Sequence, residues 1–281
     1  MSYRTALSEV LTSVIEPSAD VTGGEGRFPR ASVTALGRAG LLGLTVSAEF
    51  GGGGRGLPEA VEVVVRTARV CPATAAVLQS HYTAVAVIES YGNPWVRGEI
   101  AAGRHLSSLA LAEAAEGAEG YVEGVEPAGG VGGQGLDGQL LVPRSVAART
   151  GDVVALRARK HQVVAAGEAD SYVWSSRPLV VPAGMSLWLV PAHAPNLFVP
   201  ARAGGAGPRG SATSTVFADP VLVPADAMLG GDGGGLDTVL RTVLPWLLEL
   251  RAAAGAGGLR PPAVDMSHDV ARRPVESLAS P

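Results

Sequence analysis

At His105 the hydrophobic period of the chain changes, and that change limits the fold more than any other feature of the sequence. Before it, apolar residues recur at helical spacing, as in the stripe Ala60, Val63, Val64 and Ala68, or in Val33, Leu36 and Leu41. Pro29, Pro72 and Pro94 stand where helices open, and Gly40 or Gly43, then Gly92, stand where they close. After it come short, often β-branched runs punctuated by Gly, Pro or Asp. They are Leu106–Leu111, Tyr121–Val125, Leu140–Val142, Val153–Leu156, His161–Val164, Tyr172–Trp174, Leu187–Val190 and Thr215–Val223. That pattern predicts an antiparallel sheet or barrel. Gly230–Gly235 then leads into a helix over Leu236–Ala254, with Val239, Val243, Leu247 and Leu250 on one side and Pro245 at its start or at a kink. The expected class is α+β. An all-α domain spans 1–104, an antiparallel β-barrel 105–229, a single helix 230–254, and a strap or disordered tail 255–281.

Composition narrows the partners. With 281 residues, 47% hydrophobic and 17% charged, the chain has the makings of a packed globular core. A net charge of −4 without a basic face argues against nucleic acid and anionic membranes. Cys71 is the only cysteine, so no intrachain disulfide forms, and a reducing, cytoplasmic setting is expected. Met1–Ile15 carries Arg4 and Glu9 inside its apolar pattern and lacks a signal-peptide core, and no run of about 20 apolar residues exists to span a bilayer.

Several motifs dissolve on inspection. Gly51–Gly56 and Gly130–Gly135 satisfy G-x-G-x-x-G, but neither follows a strand and opens a helix, as dinucleotide binding requires. The five histidines show no metal-ligand spacing, and no G-x-S-x-G elbow is present, so no metal is expected. Glu113, Glu116 and Glu119 read as a solvated loop edge.

Five phrases in order carry a resemblance. They are Phe28-Pro29 through Gly40-Leu41-Leu42-Gly43-Leu44 and Glu49-Phe50-Gly51-Gly52; Leu109-Ala110-Leu111-Ala112-Glu113; Lys160 to Asp170; Pro208 to Ser214 with Val221-Leu222-Val223-Pro224; and Leu244-Pro245-Trp246. Over roughly residues 5–250 the chain resembles the acyl-CoA dehydrogenase family, as a truncated member lacking most of the C-terminal helical domain. The resemblance implies that a four-helix bundle is reduced to one helix and a tail, so that the family's glutamate base has no counterpart. It also implies a weakened flavin grip: Gln162 stands where the family has a stacking Trp, Val164 where it has Thr, and acids follow Ala112 where hydroxyls would meet a pyrophosphate.

From this the expected function is a flavin-independent enzyme, without cofactor, that cyclises or rearranges a polyketide or other acyl chain in specialised metabolism by holding a reactive conformer. Gln162 is expected to polarise a carbonyl, and Glu113 or His81 to move a proton. Tyr82, His161, Leu111 and Val164 are expected to line the substrate. A homodimer is one expected assembly. Two other readings stand beside this one: an FAD-dependent acyl-thioester dehydrogenase subunit completed by a partner chain, and a non-catalytic acyl-binding or scaffold protein.

Overall fold

The computed structural model describes residues 2–113, 143–200 and 207–258. Six helices come first: α1 (Tyr3–Val10), α2 (Glu16–Glu25), α3 (Arg30–Arg38), α4 (Leu57–Ala68), α5 (Pro72–Tyr91) and α6 (Pro94–Ala101). Pro58, Pro72 and Pro94 occupy first-turn positions, where a missing N–H costs nothing, and the Asn93 side chain caps α6 by accepting from the Val96 N–H at 2.9 Å. In α5 thirteen residues are buried, more than one face holds, so it forms the centre of the helical layer.

The strands are β1 (Ser107–Ala110), β2 (Val146–Thr150), β3 (Val153–Val163), β4 (Ser171–Ser176), β5 (Ser186–Pro191), β6 (Leu197–Phe198), β7 (Ser214–Pro224) and β8 (Met228–Leu229). A short helix α7 (Gly235–Thr238) and a π-helical turn Val239–Val243 lead into α8 (Leu244–Gly258), so Pro245 sits in the first turn of α8.

The expected antiparallel barrel is corrected. Among the described residues the strands form two separate four-stranded sheets, ordered β1-β4-β5-β8 and β2-β3-β7-β6, and the outer strands of one do not pair with those of the other. Nor is the pairing wholly antiparallel, because β1 runs parallel to β4. Alternation explains the layering. Tyr172, Trp174, Trp188 and Val190 pack with Val154, Leu156, Val163 and Val216 of the second sheet. Val173 and Leu187, pointing the other way, pack with Ile88 and Val85 of α5 and with Val239 and Val243. Every residue of β4 is buried because its sheet is covered on both faces. Short apolar runs are expected of a barrel and of such a middle layer alike, since the period reports which faces are covered and is silent on closure.

The expected strands Tyr121–Val125 and Leu140–Val142, the loop Gly130–Gly135, Glu116, Glu119 and the segment 259–281 lie outside the described residues.

One backbone approach fixes α3 against α6. A Cβ on Gly103 would overlap the Gly37 carbonyl, and Gly103 has φ +70°. Gly103→Ala is therefore expected to cost about 1–3 kcal/mol by overpacking alone, with left-handed backbone strain in addition. Urea unfolding checks it; an unchanged midpoint would mean the junction yields freely.

Candidate functional site

A cleft of about 400 Å³ opens between α5, β1 and the residues after it, the end of β3, the segment around Pro208 and Thr213, and α8. Helical spacing supplies two of its walls. Pro72, Ala75, Ala76, Gln79 and Ser80 share one face of α5, while Val243, Leu247, Arg251 and Ala254 succeed one another along the last helix. The sheet side presents Leu109, Leu111, Ala112, His161, Gln162 and Val164. Ser80 ties these walls together: its hydroxyl pairs with Ser108 Oγ at 2.7 Å and accepts the Leu109 N–H at 3.1 Å, and Ser108 Oγ donates to the Val164 carbonyl at 2.5 Å.

Gln162 owes its place to an irregularity. The β3–β7 register shifts between Lys160 and Val163, and Gln162 adopts φ 53°, in the left-handed region unusual for a residue with a side chain. Its side chain makes no hydrogen bond among the described residues and borders the cleft. His161 donates its backbone N–H to the Ala112 carbonyl at 2.8 Å, and its Nδ1 lies 3.2 Å from Thr215 Oγ1. Desolvation, then the nearby Arg159, lowers the His161 pKa, which favours the neutral ring.

Of the seven residues expected at the site, the structure brings Leu111, His161, Gln162 and Val164 to the cleft. The other three are engaged elsewhere. The Tyr82 hydroxyl donates to the Leu41 carbonyl at 2.7 Å, and burial raises its pKa. His81, fully buried, lies between the Leu42 carbonyl at 3.0 Å from Nε2 and the Ser107 N–H at 3.2 Å from Nδ1. A carbonyl only accepts, so Nε2 carries the proton, and Nδ1 accepts from Ser107. Burial lowers the pKa of His81 to about 4.

Glu113 is no solvated loop residue. One carboxylate oxygen accepts the Arg144 and Ser145 N–H groups at 2.7 and 3.0 Å, and the other meets the Ser145 hydroxyl and Lys160 Nζ. Lys160, the chain's single lysine, is 0% exposed and also donates to the carbonyl and hydroxyl of Ser175, both at 2.8 Å. Its Nζ lies 5.3 Å from the Trp174 ring centroid. Burial lowers the Lys160 pKa to about 8, against the opposing pull of Glu113. The three N–H donors of Lys160 each have an acceptor, and neither Lys160 nor Glu113 lines the cleft, so the pair supports it from behind.

Sequence reasoning missed Gln79, Ser80, Thr213 and Arg251, which all line the cleft. A signal existed for Arg251: it falls four residues after Leu247 and eight after Val243, on the stripe that faces inward. Among the described residues no group of three or more His, Cys, Asp or Glu could hold a metal ion, and no helix is long and apolar enough to cross a membrane.

Comparison with known proteins places this architecture. Residues 2–102 match the family model described as "Acyl-CoA dehydrogenase, N-terminal domain". An acyl-CoA dehydrogenase of Bacillus subtilis is 24% identical over 93% of this chain and 65% of its own length. The solved structure of FkbI, a protein for biosynthesis of the methoxymalonyl extender unit of a polyketide immunosuppressant, superimposes with TM-score 0.71 at 22% identity, covering 91% of this chain and 66% of that one. FMN-bound TdsC from Paenibacillus sp. A11-2 gives TM-score 0.73 at 18% identity, covering 91% and 61%. The chain spans 58–65% of the length of the curated relatives it matches. The TdsC likeness corrects the expectation of no cofactor, since the same backbone course holds FMN in that protein. The cleft is open with Gln162 and Val164 in its wall. Residues 2–102 thus match the acyl-CoA dehydrogenase N-terminal domain, and the described backbone as a whole follows the fold of solved acyl-CoA dehydrogenases.

Proposed function

We propose that this chain is the flavin- and acyl-thioester-binding part of an acyl-CoA dehydrogenase-type oxidoreductase, with the proton acceptor contributed by a second chain. The observation that carries this reading is the make-up of the cleft. Its described lining is largely apolar, and its ionisable members are His161 and Arg251, with no carboxylate among them. Removing a proton α to a thioester needs a base within hydrogen-bond reach; the described lining offers no carboxylate for that role, and the His161 Nδ1 is engaged with Thr215.

The residues fit a flavin ring. Leu109, Leu111 and Val164 offer flat apolar surface, and the Gln162 amide, free of other partners among the described residues, offers a donor and an acceptor to a polar ring edge. The cleft volume of about 400 Å³ lies in the range of cofactor and ligand sites. When bound, the flavin supplies the two-electron acceptor for desaturation. This chain's own residues hold the ring, exclude water from its apolar face and orient its edge. Leu240 and Leu248, 48% and 57% exposed around the start of the last helix, offer apolar surface to the second chain. Thioesters of specialised acyl chains are the finer substrate reading, and the FkbI likeness supports it.

Titrating FMN and FAD into the purified chain while following flavin fluorescence tests the reading. Saturable binding of one flavin per chain is expected, with acyl-CoA bleaching the visible band only once the second chain is present. Absence of saturable binding for both flavins would overturn it.

A further inference from the structure

Arg251 is the one formal cation on the described cleft lining, and no described residue pairs with it. Several cations on exposed faces have acidic partners, such as Arg4 with Glu62, Arg104 with Glu99 and Arg241 with Asp237. Arg251 is different in setting. Its own helix gives it Leu247 and Ala254 as neighbours on the cleft wall, and Ala68 and Pro72 line the same cleft. It keeps access to solvent, yet the apolar walls desolvate it enough to lower its pKa. The uncharged donors Gln162, Gln79 and Thr213 share the cleft, and among the described lining residues no carboxylate does. A guanidinium facing an apolar cleft without a counter-charge is a ready fork for two oxygens of one anionic group.

We infer that Arg251 is a specificity-determining residue of the cleft, selecting ligands that carry a phosphate or carboxylate group. This rests on the proposed ligand-binding role of the cleft and goes further by assigning charge to its ligand. It explains why a charged residue interrupts an otherwise apolar stripe: the charge is compensated by the ligand when the cleft fills. The source of the anion is open to experiment, since a flavin phosphate, a coenzyme A phosphate and a carboxylate on the acyl chain present the same chemistry.

The test uses matched probes that differ in one anionic part: FMN against riboflavin, butyryl-CoA against butyryl-N-acetylcysteamine, and glutaryl- against butyryl-N-acetylcysteamine. Affinities are measured by titration calorimetry or fluorescence for the wild-type chain, Arg251→Met and Arg251→Lys. In at least one pair the anionic probe is expected to bind Arg251→Met about 10-fold or more weakly, with its neutral partner unchanged, as the loss of a charge-assisted hydrogen bond predicts. Arg251→Lys should recover part of the loss, and the wild-type preference should shrink with added salt. The pair that responds identifies the source. Should neither flavin bind while an acyl pair shows the effect, the flavin reading fails and Arg251 keeps its assigned role. Equal changes for both members of every pair, no change in any, or no binding of any probe to the wild-type chain would each overturn the inference.

Discussion

Replacing Lys160 by Met is expected to lower the unfolding free energy by about 3–5 kcal/mol, the usual cost of removing one partner of a buried ion pair. Lys160 is 0% exposed, and its ammonium faces Glu113 and both oxygens of Ser175. Without it, Glu113 remains buried with only the neutral donors of Arg144 and Ser145, and the Ser175 carbonyl loses a charged donor. The double variant Lys160→Met/Glu113→Leu removes both charges and is expected to be more stable than Lys160→Met. It should still fall below the wild-type chain, because the Ser145 N–H and hydroxyl lose Glu113 and the Ser175 carbonyl loses Lys160, at about 1–3 kcal/mol for each orphaned group. Urea unfolding of the four members of this cycle measures the coupling. The change reaches the cleft as well: Lys160 adjoins His161, Glu113 adjoins Ala112, and the His161 N–H donates to the Ala112 carbonyl. A Lys160→Met chain with wild-type stability would show that the pair is dispensable.

The sequence carried the layer order and lost its three-dimensional closure, for a physical reason. Helix and strand periods record local burial, so the switch at His105 falls between the end of α6 at Ala101 and the start of β1 at Ser107. Whether β-strands close into a ring depends on pairings between distant segments, and β1 beside β4 in parallel is such a pairing. The site divides in the same way. Leu111, His161, Gln162 and Val164 lie at strand ends, and the strands carry them to the cleft. His81, Tyr82 and Glu113 were drawn off by partners 39, 41 and 47 positions away, namely Leu42, Leu41 and Lys160. No local pattern announces those carbonyls or that lysine as acceptor and donor. Arg251 escaped notice because a charge on a helix is ordinarily read as part of its solvated face, although its spacing from Leu247 already set it on the stripe that packs toward α4 and α5.

The His81 ring makes stability fall as the solution turns acidic. Its pKa is about 4 in the folded chain against an ordinary 6.5, because burial disfavours the charged imidazolium. Between these two values the unfolded chain binds a proton that the folded chain does not. The resulting stability is fully present above pH 6.5 and is lost as pH falls through about 4. A shift of this size corresponds to about 3 kcal/mol at order of magnitude. The geometry gives the cause: protonation places a second N–H where Nδ1 now accepts from the Ser107 amide, so that bond between α5 and β1 is lost while those of Ser80 stay. His105 and His161 are also lowered by burial and act in the same direction, so the contribution of His81 has to be read by difference. Denaturant midpoints of the wild-type chain and of His81→Asn are compared at pH 7 and pH 4.5. The variant is expected to be less stable at pH 7, having lost the ring that spans Leu42 and Ser107, and to decline less steeply toward pH 4.5. Parallel declines for the two proteins would mean that the proton taken up on unfolding belongs to another group.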